Sequence, residues 1–558
     1  MMNWTTACLD WAERLKNRRS IIPAPIFADQ AAQALAIFKE LRVVDLPGRP
    51  TFGQCSEPWV FDFVAAIFGA YEADTGRQLI REYGLLISKK NTKSTIAAGI
   101  MVTAVILCWR DEEEHLILAP TKEVADNSFK PAAGMIRADA ELSALFLVQD
   151  HYRTITHRVT KASLKVVAAE TDTVGGKKSG RILVDELWIF GKQSKAQAMF
   201  MEATGGQVSR DEGWVIYLTT QSDEPPAGVF KEKLAYWRDV RDGKIHDPKT
   251  LGVLYEFPQD MVESKAYMQP ENFYITNPNL GRSVSAEWLL DNLRKNEGSR
   301  DGSFQQFLAK HLNVEIGMNL RSDRWAGADH WQAQGRPGLT LDELLDRSEV
   351  VVAGVDGGGL DDLLGAGVIG REKETGIWLH WGRAWAHPTV LERRKEIAPR
   401  LRDFDMEGDL VLVERIGDDV RELAEIFGRI HARGLFPEKN AIGMDQVGIS
   451  FEEEFDEAEI PSELLVGITQ GYKMGGVIKT VERKLLEGTF IHGNRPMMAW
   501  CVSNARVEQR ANGILITKQA SGTAKIDPLM ALFDAATLMA LNPMAGAKKI
   551  KQGFVVID

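Results

Sequence analysis

From Tyr83 to about residue 250, short apolar segments alternate with helical stretches, and the same pattern begins again at Val350. Alternation of this kind leaves few folds open: a largely parallel sheet with helices on its faces, the α/β class. In the first block the strand candidates are 83–88 (YGLLIS), 116–119, 164–168, 182–184 (ILV) and 214–218 (WVIYL), with a helix starting at Ser94. The second block offers a strand at 350–356 (VVVAGVD), hairpin strands at 365–369 and 376–381, and strands at 410–413 and ending at Asp445. Helices are expected there at 392–402 and 418–433. Between the blocks, polar helix-like segments at 286–295 and 303–312 read as a linker subdomain. A chain of 558 residues exceeds what one core organises, so two large domains are expected.

Composition excludes several classes. No segment approaches the roughly 18 apolar residues that span a bilayer, and the N-terminus lacks a secretory core, so residence in the cytoplasm is expected. Four cysteines, Cys8, Cys55, Cys108 and Cys501, form no C-x-x-C pair and read as plain thiols. A net charge of −11 argues against a protein that coats nucleic acid with its whole surface, though it leaves room for one basic channel.

The first block carries the parts of a nucleotide-hydrolysing motor. Between the first strand and its helix lies Ser88-Lys89-Lys90-Asn91-Thr92-Lys93-Ser94-Thr95. A loop lysine and a hydroxyl at a helix N-terminus are what a phosphate cradle needs. Lys90, Asn91, Thr92, Lys93, Ser94 and Thr95 are therefore the candidate ATP-binding residues, with Lys93 on the β/γ phosphates and Ser94 on Mg²⁺. The departure is at Ile87 and Thr92, where the motif has glycine; a β-branched residue resists positive φ, at a cost of about 1 kcal/mol. A basic turn capping a helix reads the loop alone equally well. The strand 181–184 then ends in Asp185-Glu186, which would serve the magnesium and the attacking water. Thr219-Thr220-Gln221, closing a later strand, suits a γ-phosphate sensor.

The second block carries acids at element ends. Asp356 closes a valine-rich strand before Gly357-Gly358-Gly359, Asp445 closes another, and Asp527-Pro528 opens a helix, 529–541, that bears Asp534. Seven residues are close to two helical turns, so Asp527 and Asp534 share a face. Each acid alone suits a cap or a solvated turn, and Asp361-Asp362 suit a turn. As a set they suit hard divalent cations, Mg²⁺ with Mn²⁺ as an alternative, and two-metal phosphodiester hydrolysis. Asp356, Asp445 and Asp527 are the candidate catalytic ligands and Asp534 a further one. Arg393, Arg394 and Lys395 read as a solvated helix face before a DNA contact.

These residues together resemble the large terminase subunits of tailed double-stranded-DNA bacteriophages. The likeness rests on 89–95, the ILVDE strand, Val355-Asp356, Gly443-Met444-Asp445 and Gln470-Gly471-Tyr472-Lys473. It continues through His492-Gly493-Asn494-Arg495-Pro496, Trp500, Ser503-Asn504 and Lys525-Ile526-Asp527. The resemblance implies a helical lead-in (1–60), a P-loop ATPase domain of the additional-strand type (61–255) and a linker subdomain (256–345). An RNase H-like nuclease (346–545) and a flexible basic tail (546–558) would follow. It implies ATP-driven translocation of double-stranded DNA into a procapsid, with Mg²⁺- or Mn²⁺-dependent endonucleolytic cleavage. It also implies a small terminase subunit and a portal protein as partners, a homo-oligomeric ring, commonly a pentamer, and transient docking on the procapsid in the host cytoplasm. Glu57-Pro58-Trp59-Val60 stands where the family often has a glutamine near adenine, and Arg137 is one candidate for the arginine acting in trans. The competing readings are a metal nuclease whose degenerate ATPase module binds the portal, and a helicase-like translocase that grips DNA with an inactive nuclease fold.

Overall fold

The computed structural model describes residues 4–169, 179–193, 195–297, 303–316, 325–445, 452–510, 513–517 and 525–546. The chain divides into two compact units, Met1–Ile316 and Gly317–Asp558, so the segment 256–345 is shared between them. Of the basic tail, 547–558 lie outside the described residues. Among the described residues no helix is long and apolar enough to cross a membrane.

The first unit is built on an eight-stranded sheet. Its order is Thr250–Leu254, Glu82–Leu86, Trp214–Thr219, Ser179–Val184, Glu114–Ala119, Ser163–Ala168, Thr154–His157, Phe146–Gln149. The first six strands run parallel, and the last two close the edge as an antiparallel hairpin. Parallel strands covered on both faces read as continuous apolar runs, and Ile182, Leu183 and Val184 are all but fully buried. The strand Trp214–Thr219 lies between Glu82–Leu86 and Ser179–Val184, so the two strands that carry the candidate site chemistry are not neighbours. Three strands add to those expected from the sequence: Thr250–Leu254, which forms one sheet edge, and the hairpin Phe146–Gln149/Thr154–His157 at the other. A Cβ on Gly84 would sit 2.5 Å from Trp237, so the buried indole of helix Gly228–Arg241 lies against the backbone of Glu82–Leu86.

The second unit holds a seven-stranded sheet. Ser348–Gly357, Leu364–Glu372 and Trp378–Ala386 form an antiparallel meander. On the other side of Ser348–Gly357, Ile442–Asp445 and Leu465–Ile468 add in parallel. Leu410–Leu412 and Phe490–His492 pair with Trp378–Ala386, also in parallel. Helix Asp527–Met539 lies across the sheet with nearly every side chain buried. The helix expected over 392–402 is instead two, Thr389–Arg393 and Ala398–Met406. The first helix ends at its C-cap Arg394, whose φ −115°, ψ 54° leaves helical geometry, and Pro399 sits in the first turn of the second, where its missing N–H costs no helical bond.

Candidate active sites

In the first unit, helix Lys93–Ile106 starts directly after the loop that follows Glu82–Leu86, with Thr92 at its N-cap. Thr92 sits in the left-handed region at φ 58°, ψ 23°, and Lys90 also has positive φ at 72°. The loop therefore takes the conformation that a glycine would take freely, with a threonine in place. A brace from a distant segment holds it there. The Asn279 side-chain amide donates to the Asn91 carbonyl at 3.0 Å and to Thr92 Oγ1 at 3.2 Å, and its carbonyl oxygen accepts from the Trp59 indole at 2.8 Å. Asn91 answers by accepting from the Asn279 backbone N–H at 3.0 Å and donating to Asn277 at 2.9 Å and to the Ser88 carbonyl at 3.0 Å. Ser283 donates to the Lys90 carbonyl. Thr95 lies in the first turn of the helix.

The strand Ser179–Val184 delivers Asp185 and Glu186 to this loop. Ser94 Oγ donates to Asp185 Oδ2 at 2.9 Å, Ser128 Oγ donates to the same oxygen at 3.1 Å, and the Lys93 ammonium donates to Glu186 Oε1 at 2.6 Å. The Trp188 indole donates to the other Glu186 oxygen at 2.5 Å. Glu186 has φ 54°, a strained setting of the kind that gathers at functional sites. Burial raises the Asp185 carboxyl above the usual carboxylate range despite the nearby Lys93 ammonium. Burial also pushes Glu186 up, but the Lys93 charge and the two donated hydrogen bonds outweigh it and hold the group below its ordinary value. Lys93, buried as well, is held charged by Glu186 and Asp185. Hydroxyls and a desolvated carboxylate are the hard oxygen donors that Mg²⁺ takes, so Ser94 and Asp185 fit that ion.

The sequence did not single out the third wall. Lys310, on helix Ser303–Leu312, is buried; its carbonyl accepts the Lys89 backbone N–H at 2.7 Å and its ammonium donates to the Gln221 carbonyl at 2.8 Å. That ammonium stands 3.0 Å from the centre of the Trp188 ring. Burial pulls it down to about 7, against the support of Asp223 and Glu186. Thr219 Oγ1 accepts the Trp188 backbone N–H at 3.2 Å, and the buried Gln221 side-chain amide has no hydrogen-bond partner among the described residues. Asn277, Asn279, Lys310 and Asn313 all come from the stretch expected as a linker. A cluster of asparagines there was the one available signal. Arg137, at the end of helix Lys122–Arg137, pairs with Asp150.

In the second unit, the register sets Val355 opposite Met444, one residue before Asp356 and Asp445, so both acids leave the sheet at the same end. Four strand glycines let the helix Asp527–Met539 rest on backbone. A Cβ on Gly354 would meet the Ala531 carbonyl at 2.1 Å, and one on Gly443 the Asp534 carbonyl at 3.3 Å. Gly365 and Gly367 would likewise strike 2.6 Å from Pro528 N and 2.9 Å from Leu532 N. Glycine inside a strand often marks such an approach, so this signal was present and unused. The helix thus sets Asp534 beside Asp356: Gln470 Nε2 donates to Asp356 Oδ1 at 2.7 Å and to Asp534 Oδ2 at 3.4 Å. Burial first, then the Asp356 and Asp445 charges, push the Asp534 carboxyl up to about 9.

Asp527 is fully buried in the first turn of its helix, within about a Cβ contact of Gly357. Among the described residues no three His, Cys, Asp or Glu side chains gather closely enough to cage one ion. The expected quartet is brought together as the pair Asp356–Asp534 with Asp445 and Asp527 beside it, not as a closed cage. Magnesium keeps most of its waters and uses one or two carboxylates, and a cation would relieve the repulsion that the Asp356 and Asp445 charges exert on Asp534, so the pair fits. Asp361 and Asp362 form a turn, where Lys525 pairs with Asp362 at 2.5 Å. Arg394 stands 3.6 Å from Asp361, and Arg393 ends the short helix before it.

Residues 58–239 match the family model of the terminase large subunit ATPase domain. The terminase large subunit of Enterobacteria phage HK97 is 25% identical over 489 residues, 85% of this chain and 89% of that protein. The crystal structure of the HK97 large terminase is similar at a TM-score of 0.46 and 20% identity, over 91% of this chain and 99% of that one. The large terminase of a thermophilic bacteriophage is similar at 0.30 and 13%, over 92% and 99%.

Proposed function

As a homologue of the HK97 terminase large subunit that carries a terminase-type ATPase domain, this chain is, we propose, the ATP-driven motor that moves double-stranded viral DNA into a procapsid and cuts it. One observation carries the reading: Lys93 and Ser94 from the start of one helix, and Asp185 and Glu186 from the end of one strand, close into one hydrogen-bonded set at the end of a parallel sheet. The strand inserted between Glu82–Leu86 and Ser179–Val184 is what the additional-strand type of P-loop ATPase requires. The antiparallel meander continued by two parallel strands supports an RNase H-like body for the second unit.

In this mechanism the backbone N–H groups of 90–95 and the Lys93 ammonium receive the β and γ phosphates. Ser94 and Asp185 would hold Mg²⁺, which supplies charge neutralisation on the phosphates. Arrival of the phosphates offers Lys93 a second anionic partner and frees Glu186 Oε1 to orient the attacking water. Gln221, whose buried side-chain amide has no hydrogen-bond partner among the described residues, would act with Thr219 and Thr220 as the γ-phosphate sensor. Thr92 in the left-handed conformation favours a working loop over a degenerate module kept only to bind the portal. In the second unit Asp356 and Asp534, with Asp445 and Asp527 beside them, would hold divalent ions, which supply an activated water and charge neutralisation for phosphodiester hydrolysis. Residues 61–255 would act as the ATPase domain and 346–545 as the nuclease. A ring of copies, a small terminase subunit and a portal are the partners this function needs, with the motor acting in the host cytoplasm on a procapsid.

Two variants test the reading. Lys93→Ala should abolish DNA-stimulated ATP turnover and leave plasmid cleavage in Mg²⁺ or Mn²⁺. Asp356→Ala should do the reverse. A wild-type chain that cleaves DNA yet turns over no ATP with DNA and portal present would replace this reading with the portal-binding one.

A further inference from the structure

Resting on the ATPase reading, we propose that Lys310 is a positioning residue for ATP hydrolysis, setting the Glu186 carboxylate through the indole of Trp188. Glu186 has two anchors, the Lys93 ammonium on one oxygen and the Trp188 N–H on the other. Once Lys93 turns to the phosphates, Trp188 alone fixes the carboxylate, and a carboxylate free to rotate cannot hold a water in line.

Trp188 is itself held at three points. Its backbone N–H donates to Thr219, its indole N–H to Glu186, and its ring face meets the Lys310 ammonium at 3.0 Å. A cation over an indole face is drawn to the ring's negative face, and that attraction selects one orientation of the ring while Lys310 is protonated. Lys310 is in turn tied to the Gln221 carbonyl, and its own carbonyl receives the Lys89 N–H. One residue therefore touches the phosphate loop, the strand end that follows Thr219-Thr220, and the ring behind Glu186. The other charges around it are Asp223, Lys192, Lys89 and Glu186; Lys192 pairs with Asp223 at 2.9 Å and lies 5.4 Å from the same ring. Lys310 meets the phosphate loop through its backbone carbonyl, which a side-chain substitution keeps, whereas its ammonium contacts the Gln221 carbonyl and the Trp188 ring, so the side chain's effect falls on the water-activating group.

The test uses the full chain with DNA and compares Lys310→Met, Lys310→Arg, Trp188→Phe and the Met/Phe double variant. Turnover, KM, affinity for a fluorescent ATP analogue and thermal midpoint are measured for each. Trp188→Phe keeps a ring face and loses the N–H, and should lower kcat about tenfold or more, the scale of a misplaced catalytic group. Lys310→Met should lower kcat in the same direction with analogue affinity within about twofold, the double variant should be no worse than Trp188→Phe, and Lys310→Arg should recover most of the loss. Equal kcat in Lys310→Met and wild type overturns the proposal. So do losses that multiply in the double variant, or a fall in affinity and midpoint that tracks kcat in both Lys310 variants. Absence of turnover in the wild-type chain overturns the ATPase reading and this inference together, whereas normal turnover with an inert Lys310 overturns this inference only.

Discussion

Asn279→Ala tests whether a remote side chain is what permits threonine at a glycine position of the phosphate loop. Asn279 is only 5% exposed, and its side chain serves the Trp59 indole, the Asn91 carbonyl and Thr92 Oγ1. Truncation strands the buried Trp59 N–H, at a cost of about 1–3 kcal/mol, and removes the bonds donated to the Asn91 carbonyl, which keeps the Thr92 hydroxyl at 2.8 Å, and to Thr92 Oγ1, so the first unit should lose about 2–4 kcal/mol. The left-handed conformation of Thr92 costs about 1–2 kcal/mol by itself. Without the brace the loop should relax and its N–H groups diverge, weakening ATP binding by about 5- to 30-fold, which is 1–2 kcal/mol. Urea unfolding followed by tryptophan fluorescence reads the first effect, and titration with a fluorescent ATP analogue reads the second. Adding Thr92→Gly separates them: glycine enters the left-handed region without strain, so the double variant should regain nucleotide affinity and stay unstable. Two results would refute the reasoning. One is an Asn279→Ala protein that binds within twofold of wild type; the other is a Thr92→Gly/Asn279→Ala protein that binds no better than the single variant.

Gly354→Ala should lower the unfolding midpoint of the second unit by an amount equivalent to about 1–3 kcal/mol or more, the cost of overpacking, because the new methyl meets backbone at 2.1 Å; differential scanning calorimetry checks this, and an unchanged midpoint means the helix does not rest on that strand. Asp534 carries a pH signature: its folded carboxyl at about 9 lies above the ordinary 3.8, so the folded state binds the extra proton and metal-free stability should fall as pH rises from about 4 to about 9. Mn²⁺ should oppose that fall in thermal melts at pH 8, and Asp534→Asn should flatten both the pH slope and the metal response. A wild-type melt indifferent to Mn²⁺ at pH 8 counts against the metal assignment.

Some of this was legible because it is local. Strand and helix type at 82–86, 93–106, 179–184 and 348–357 follow from apolar runs and their polar ends, and those ends name Lys93, Asp185, Glu186 and Asp356. What escaped is non-local: Asn279 lies 188 residues from Asn91, and Gln470 lies 114 residues from Asp356. Asparagine, glutamine and lysine have no periodicity that marks a partner, and they look the same in a solvated loop as in a buried brace.

Sequence alone determined that two α/β bodies would form and which strand ends would carry acids, because burial periodicity and turn chemistry act within a few residues. Only the tertiary structure decided that a threonine could replace glycine in the loop, that helix Ser303–Leu312 would wall the phosphate site, and that Gln470 would bridge Asp534 to Asp356. Those outcomes depend on which distant groups are desolvated together, and desolvation is a property of the folded interior that no short window of residues contains.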